Sequence, residues 1–396
     1  MKNYIFFFLF SATLITLRAQ PVNNIRIDVA NSMGGPVSQI FSNVKYIPLE
    51  THKMSLFGKI DKLILTKDKF FILDHGTDAI LVFDTSGKYL RKMTMEKYVK
   101  TSNRQSMGIK DFTVNEGKGE IVVTHMNDFD HLYFFNLEGR FIYKLKRRNC
   151  QSLTNIDTEH YLYESTVTFR DSISKSSGNC MITNGDVSQI LQYTLPRKQI
   201  NGIQLGKSPI TRLVGKNTVF YTRSYDYSIY KVDKGGAKQM YKFLFPLEYS
   251  LPTNFLDSTF TEDRYKYLSN NKKIIYSVSN FYSLNQMLLF HCNTNTPNDI
   301  NSSLIYSKLS QNLFSLSKVY PDSTNHYLPV YNDYQGILAA DSNSIYNSLP
   351  AYVLFENAHQ VRSDDLKYNE PLKIFFKAKN LKSNPVIVKL ELSKLL

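Results

Sequence analysis

One short segment of the sequence gathers side chains that can bind metal ions. His125, Asp128, Asp130 and His131 lie close together, and imidazole and carboxylate groups are common ligands of zinc and calcium. The segment directly follows Glu120–Thr124, which has the composition of a β-strand. A polar loop between two strands accounts for the same residues without a metal ion. We favour the loop, and we assign no metal ligand and no cofactor to the sequence.

A second set of polar residues lies on the predicted innermost strands of a repeated unit. Asp61, Asp111 and Arg212 would face the axis if these units were arranged in a ring. Residues converging there could hold a metal ion that assists hydrolysis or elimination. Asp61 and Asp111 do not align in their repeats, which weakens this hypothesis. A metal-assisted hydrolase or lyase with its site at the central channel is therefore the alternative function.

The sequence contains no motif for nucleophilic catalysis or phosphate binding. Gly117-Lys118-Gly119 falls in a predicted hairpin turn, whereas a phosphate-binding loop connects a strand to a helix. Serines are numerous, but none lies in a nucleophile-elbow pattern. We assign no catalytic residue and expect a protein that binds rather than reacts, although enzymatic activity stays open.

Aromatic and polar residues are concentrated in two places that could form a binding surface. Arg223, Tyr225 and Tyr227 lie in one segment, and Tyr282 lies in another. Tyr and Arg are favoured at binding hot spots, and a Tyr ring can stack on a sugar. The alternative is that these tyrosines pack between sheets with their hydroxyl groups hydrogen-bonded. We take the four residues as candidate ligand contacts.

Repeated short strands must position these residues. In the first unit the predicted strands are Ile60–Leu65, Phe70–Asp74, Ala79–Phe83 and Lys88–Arg91. In the second unit they are Ile109–Val114, Glu120–Thr124, His131–Phe135 and Arg140–Lys144. In both units the turn before the last strand begins with Asp or Asn and ends with Gly. Asp and Asn side chains cap such turns, and Gly accepts the positive φ that the last turn position requires. Gly87 and Gly139 hold equivalent places.

Weaker copies of the unit continue along the chain. They begin near residues 180, 210, 281 and 327. A four-stranded sheet cannot bury its faces alone, whereas stacking several such sheets around an axis buries them. We predict an all-β, six-bladed β-propeller of four-stranded antiparallel blades, forming one domain over residues 20–396. Residues 252–273 and 343–381 break the strand alternation and are predicted to be insertions with short helices.

The N-terminus has the pattern of a secretory signal peptide. Lys2 precedes the largely apolar stretch Tyr4–Leu17, and the small residue Ala19 fits the position before a cleavage site. An uncleaved N-terminal anchor is the alternative. No Cys follows the apolar stretch, so we expect an exported protein, periplasmic or extracellular, without a lipid anchor and without a transmembrane segment once residues 1–19 are removed.

The chain carries a surplus of positive charge. Removing residues 1–19 takes away Lys2 and Arg18 and no acid, which lowers the net charge from +14 to +12. Export makes nucleic acid a poor candidate, so the candidate acidic partners are an anionic glycan, a phosphate-bearing lipid headgroup and an acidic protein. Lysines that decorate sheet edges account for the same surplus, and we favour this explanation. We expect a monomer.

The three cysteines do not form a disulfide framework. Their number is odd and their spacing is wide, so buried free thiols are the preferred interpretation. Cys150 and Cys180 both lie near the third repeat and are the pair for which a disulfide stays open.

Several of these segments together resemble the exported six-bladed β-propeller family of Bacteroidetes, which is related to NHL-type propellers. The resemblance is carried by Ser42–Thr51 as an opening strand, by Ile60–Leu63, Phe71–Asp74 and Val82–Lys88, and by Asn384–Leu390 as a closing strand. It implies a ring closed by strands from both ends of the chain. It brings no established reaction, so the expected function is binding of a protein or glycan in the cell envelope.

Overall fold

Six β-sheets form the blades of a propeller. The computed structural model describes residues 22–99, 108–146, 150–170, 177–194, 210–296, 302–360, 368–378 and 380–393. The predicted signal peptide lies outside these ranges. The sheets follow one another around a common axis, and each contains four antiparallel strands, to which a fifth, parallel strand is added in two of them. The prediction of a six-bladed β-propeller with four-stranded blades is confirmed.

The chain enters the ring through three strands and one short helix. These elements are β1 (Asn23–Arg26), β2 (Met33–Pro36), α1 (Val37–Ile40) and β3 (Phe41–Pro48).

The first three blades follow in chain order. The first contains β4 (Lys62–Leu65), β5 (Lys69–Asp74), β6 (Ala79–Asp84) and β7 (Tyr89–Thr94). The second contains β8 (Ile109–Asn115), β9 (Glu120–His125), β10 (Asp128–Asn136) and β11 (Phe141–Lys146). The third contains β12 (Cys150–Asn155), β13 (His160–Arg170), β14 (Ser177–Asn184) and β15 (Ile190–Thr194).

The last three blades also contain the strands of the N-terminal segment. The fourth is built from β16 (Ile210–Arg212), β17 (Val219–Tyr221), β18 (Ser228–Asp233) and β19 (Gly236–Leu244), with β1 at its edge. The fifth is built from β20 (Ser277–Leu284), β21 (Met287–Asn293), β22 (Ser303–Ser307) and β23 (Leu313–Tyr320), with β2 at its edge. The sixth is built from β24 (Ala339–Ala340), β25 (Ser344–Leu349), β26 (Val386–Leu392) and β3.

The two sides of the ring differ in their connections. The turn face carries the connection from the first to the second strand of each blade and, in the first five blades, the connection from the third to the fourth strand. The loop face is the opposite side. In the first blade the middle strands β5 and β6 are buried along almost their whole length. Their apolar runs therefore have neighbouring blades on both faces, as the stacking argument requires.

The repeated turn glycines fit the blades together. Gly87 has a φ of +93°, and a Cβ there would lie 2.2 Å from the Pro48 carbonyl oxygen on the outer strand of the preceding blade. Gly139 has a φ of +78°, and its Cβ would lie 2.8 Å from Met93 Cγ of the blade before it. The glycine is thus required twice, by the turn conformation and by the close approach of the next blade.

The ring is closed by strands from both ends of the chain, as predicted. β3 pairs with β26 in antiparallel register, with Ile47 opposite Ile387 and Lys45 opposite Lys389. The closing sheet contains strands distant in sequence, so opening the ring would expose the apolar residues Ile387, Val388 and Leu390, which are all fully buried.

The N-terminal segment makes a contact that the sequence did not predict. β1 adds to β19 and β2 adds to β23, both in parallel register, so the fourth and fifth blades have five strands instead of four. At Gly34 the approach is close, since a Cβ there would lie 2.3 Å from the Lys318 carbonyl oxygen. The segment from β1 to β3 therefore binds three consecutive blades at their outer edges.

The predicted insertions are helical only in part. Residues 252–273 contain α2 (Arg264–Asn270), and the segment after β25 contains α3 (Ala351–Gln360) and α4 (Glu370–Lys377). Two short 3-10 helices lie at Leu247–Tyr249 and Ser323–Asn325. Ser344–Leu349, which we predicted to be part of an insertion, is instead β25, the second strand of the sixth blade. This strand was not predicted because its buried polar residues Asn347 and Ser348 interrupt the apolar pattern.

The start of the sixth blade also differs from the prediction. The sixth unit was predicted to begin near residue 327, but the first strand of this blade is only Ala339–Ala340. His326 and Tyr327 have positive φ values, and Pro329 cannot donate to a strand ladder. Among the helices of the described ranges, none has the length and apolar character needed to cross a membrane.

Candidate functional site

The innermost strands meet at the axis of the ring. On the turn face, Leu213 forms an isolated parallel bridge with Ala340, and Val214 N donates to the Ala340 carbonyl oxygen at 3.1 Å. This bridge joins the fourth blade directly to the sixth. At this level the axis is therefore occupied by backbone.

Asp61 lies on the loop face beside two cationic groups. Its Oδ1 is 3.0 Å from Lys59 Nζ, and its Oδ2 accepts a hydrogen bond from His75 N at 2.8 Å. The Nδ1 of His75 is 3.3 Å from the same Oδ2. Burial opposes ionisation, but the hydrogen bonds from His75 and Lys59 outweigh it and lower the pKa of Asp61 below its usual range. The hydrogen bond to Asp61 raises the pKa of His75.

We expect the substitution Asp61→Asn to return the pKa of His75 toward the ordinary value of about 6.5. The Asp61 carboxylate favours the imidazolium form, which raises this pKa in the folded protein. The raised pKa of His75 contributes stability that is fully present below the unfolded-state pKa of His75 and is lost as the pH rises through its folded-state pKa. An NMR titration of the His75 imidazole measures the change. Equal midpoints in the two proteins would contradict it.

Asp111 and Arg212 are also held by neighbouring blades. Asp111 Oδ1 is 2.5 Å from Lys62 Nζ of the first blade, and its Oδ2 accepts from Ser152 Oγ of the third blade at 3.4 Å. Arg212 donates to Asn155 Oδ1 at 2.9 Å, and burial lowers the pKa of its guanidinium. Asp61, Asp111 and Arg212 thus bind three different sets of partners.

The segment His125–His131 forms a tight hairpin between β9 and β10. Asp128 Oδ1 is 2.8 Å from His131 Nδ1, and its Oδ2 accepts the hydroxyl of Tyr133 at 2.5 Å. His125 is buried, and this burial lowers the pKa of its imidazole. Among the described residues, no group of three His, Cys, Asp or Glu side chains could hold a metal ion.

Three of the four predicted ligand contacts lie together on the loop face of the fourth blade. Arg223 is 3.1 Å from Asp226 Oδ2, and its guanidinium lies over the ring of Tyr230 at 5.1 Å. Tyr225 has a φ of 63°, and its ring packs against Phe255 with a centroid distance of 5.3 Å. These contacts fix the side chains within the protein.

The other two predicted tyrosines are more enclosed. The Tyr227 hydroxyl donates to the Ile275 carbonyl oxygen at 2.6 Å and accepts from Leu251 N at 2.8 Å. Tyr282 is 5% exposed and lies in the core of the fifth blade, where burial raises the pKa of its hydroxyl. The structure therefore brings Arg223, Tyr225 and Tyr227 together and leaves Tyr282 in the core.

The cysteines are free and buried, as the preferred interpretation stated. Cys150 lies on β12 and Cys180 on β14, with β13 between them. Two strand spacings of about 4.8 Å exceed the Cα separation of about 7 Å that a disulfide can span. Burial raises the pKa of both thiols.

A cleft of about 490 Å³ opens on the turn face between the first and sixth blades. Its volume falls within the range of about 300–1,000 Å³ that is usual for small-molecule sites. The first blade contributes its two turns, and the sixth blade contributes Asp341 after β24 together with side chains of β25, β26 and β3. Val214 of the fourth blade lies at the inner end. The uncharged residues around the opening and floor include Thr66, Phe70, Thr85, Val214 and Tyr346.

Charged side chains of both signs line this cleft. Three are lysines, and two are acids: Lys45, Lys67, Lys389, Asp341 and Glu391. Lys389 Nζ lies 3.9 Å from Asp341 Oδ2 and 3.9 Å from Glu391 Oε1. Lys389 is the cross-strand neighbour of both Tyr346 and Lys45, so these three side chains lie in one row across the sixth blade.

Tyr346 anchors the floor of the cleft. Its side chain is 6% exposed, and its hydroxyl donates to Asp341 Oδ2 at 2.7 Å. Burial and this hydrogen bond raise the pKa of the Tyr346 hydroxyl. The ring meets Phe70 of the first blade edge to face at 6.4 Å, which fixes the wall between the two blades.

Sequence reasoning missed the cleft residues, although a signal was present. Lys389 interrupts the apolar strand Val386–Leu390, and Lys45 precedes the apolar residues Tyr46 and Ile47. A lysine within such a strand indicates a side chain directed to solvent or to a polar site. That the two lysines are neighbours follows only from the register of the closing strands.

Residues 23–391 match the family described as Domain of unknown function (DUF4934). The chain belongs to this family. The match covers every blade, both closing strands and the cleft. Among curated proteins, none matches the chain.

Two solved structures from Bacteroides are similar to this DUF4934 propeller, and the first of them shares its fold. A protein from Bacteroides fragilis NCTC 9343, named as a presumed exported protein, is 16% identical with a TM-score of 0.69, over 94% of this chain and 100% of its own. A member of the DUF4221 family from Bacteroides vulgatus is 9% identical with a TM-score of 0.45, over 88% of this chain and 96% of its own.

Virginiamycin B lyase from Staphylococcus aureus, solved as a catalytically inactive variant with quinupristin, is 14% identical with a TM-score of 0.36. The likeness covers 69% of this chain and 73% of the lyase. A similarity of this degree gives no argument about activity.

Proposed function

We propose that this DUF4934 propeller is an exported, non-catalytic binding protein of the cell envelope. Its ligand, a glycan or a segment of a protein, is held on the turn face in the cleft between the first and sixth blades. The signal-like N-terminal sequence and the name of the B. fragilis relative support the proposed export.

The observation that carries this proposal is the cleft itself. It combines a volume of about 490 Å³ with charged and hydroxyl side chains above an aromatic floor, which are the usual components of a ligand site. The loop-face residues Arg223, Tyr225 and Tyr227 support a second contact surface less well, because the polar atoms of Arg223 and Tyr227 already bind other residues of the protein.

Filling the cleft should abolish binding. Thr85 lies at its exposed rim, so Thr85→Trp would place an indole in the space that a ligand needs. We expect at least a tenfold loss of affinity for any glycan or peptide that the full-length protein binds in array and calorimetric measurements. Thr253→Trp, at an exposed position away from the cleft, is the matched control and should leave the affinity unchanged.

Two results would count against the proposal. One is a ligand that binds Thr85→Trp as tightly as the unchanged protein, since its site would then lie elsewhere. The other is a failure of both glycan and peptide arrays to yield a ligand.

A further inference from the structure

The lysines of the cleft are only partly neutralised. Lys389 lies near Asp341 and Glu391, whereas neither Lys45 nor Lys67 forms an ion pair with any residue in the described ranges. Five charged side chains line the cleft, and the positive ones exceed the negative ones by one. The cleft therefore contains two lysines without an ion-pair partner among the described residues, Lys45 on the sixth blade and Lys67 on the first.

The closing register places two of these lysines against each other. Lys45 and Lys389 are directly opposite in the pairing of β3 with β26, where side chains on one face lie about 5 Å apart at Cβ. Like charges in this arrangement are destabilising. An anionic group bound beside them would relieve the repulsion, whereas a neutral or cationic ligand would not.

The acidic residues of the cleft limit which anion fits. Asp341 already accepts hydrogen bonds from Tyr346 and from the backbone of its own turn, but Glu391 lies near Lys389 at 3.9 Å and can accept further hydrogen bonds. A carboxylate beside the ligand favours hydroxyl donors and repels closely spaced negative charges. Thr85 adds an exposed hydroxyl group at the rim.

We propose that the cleft binds an acidic sugar, with the carboxylate of the sugar between Lys45 and Lys67 and its hydroxyl groups facing Glu391 and Thr85. An acidic sugar combines one isolated anionic group with several neutral donors, which matches the unpaired lysines and the oxygen atoms of Glu391 and Thr85 that line the cleft. A nucleic acid carries its charges in close succession, and an acidic peptide offers fewer hydroxyl groups. This assignment depends on the proposed binding function and names its ligand class.

The decisive experiment compares oligosaccharides that differ only in the carboxylate. The probes are uronic-acid oligosaccharides and the same oligosaccharides after carboxyl reduction, measured by calorimetry with the full-length protein. We expect the acidic form to bind at least tenfold more tightly. Lys45→Gln and Lys67→Gln should each weaken its binding about fivefold, whereas Lys266→Gln, at an exposed position on α2, should have no effect.

The outcomes separate this inference from the proposed function. Equal binding of the acidic and reduced forms, blocked by Thr85→Trp, would overturn the acidic sugar and leave the binding cleft intact. Tighter binding of poly-glutamate or duplex DNA than of any uronic-acid probe would also overturn it. If the acidic probe binds and Thr85→Trp has no effect, both the assignment and the proposed site are wrong.

Discussion

Replacing Asn384 by alanine should destabilise the protein by about 3 kcal/mol, because two buried hydrogen bonds and one partly buried hydrogen bond to the backbone are lost together. Asn384 is fully buried just before β26. Its Oδ1 accepts from Phe57 N at 3.0 Å, and its Nδ2 donates to the carbonyl oxygens of Glu50 and Ser55 at 2.8 and 2.9 Å. These bonds tie the last strand of the ring to the segment that follows β3, so their loss weakens the ring closure.

The matched control for this change is Asn380→Ala. Asn380 is exposed, and its side chain accepts from Lys382 N at 3.0 Å within a surface turn. Urea and thermal unfolding midpoints should fall strongly for Asn384→Ala and little for Asn380→Ala. Asn384→Asp should be at least as harmful as Asn384→Ala, since a carboxylate would face two carbonyl oxygens. Similar midpoints for Asn384→Ala and Asn380→Ala would refute the role of Asn384 in closing the ring.

Replacing Asp111 by alanine should cost about 2–3 kcal/mol, because the partly buried Lys62 ammonium loses its counterion. Lys62 Nζ would still donate to the Phe112 carbonyl oxygen at 2.8 Å, but Asp111 is its one ion-pair partner among the described residues. The Lys62 side chain is 29% exposed, so solvent compensates part of the loss. Asp111 also contacts Ser152 and Leu153 N of the third blade, so the change loosens three blades near the axis.

Asp68→Ala provides the comparison for an exposed ion pair. Asp68 pairs with Lys69, but its side chain is 66% exposed, and such pairs contribute less than about 1 kcal/mol. Adding Lys62→Met to Asp111→Ala should recover part of the lost stability by removing the uncompensated charge. Equal unfolding midpoints for Asp111→Ala and Asp68→Ala would contradict the prediction, as would a further loss of stability in the double variant.

Local patterns were sufficient to predict the best-formed blades. In the first two blades, the side chains of Asp84 and Asn136 cap tight turns by accepting hydrogen bonds from backbone N–H groups later in each turn. Gly87 and Gly139 follow them in these turns. These interactions involve residues that are close in sequence, so the sequence displays them directly. The later blades contain more buried polar residues, such as Asn347 in β25, and the alternation that indicates a strand is weaker there.

The sequence did not reveal that the predicted binding residues on the loop face already have partners within the protein. The loop-face residues Arg223, Tyr225 and Tyr227 are adjacent in sequence, so their grouping was visible, but Asp226, Tyr230 and Ile275 already bind their polar groups. The hydrogen bonds that occupy them depend on packing, which residue types alone do not reveal.

The sequence by itself determined the repeated strand-and-turn unit and the basic surplus of the chain, and its resemblance to the exported propellers of Bacteroidetes implied closure of the ring by both chain ends. The tertiary structure alone decided that β1 and β2 extend the fourth and fifth blades. It also decided that Lys45 lies opposite Lys389 in a cleft that Lys67 lines as well. The reason is physical. Turn and strand preferences act between near neighbours, whereas a site between the first and last blades depends on the register of strands from opposite ends of the chain.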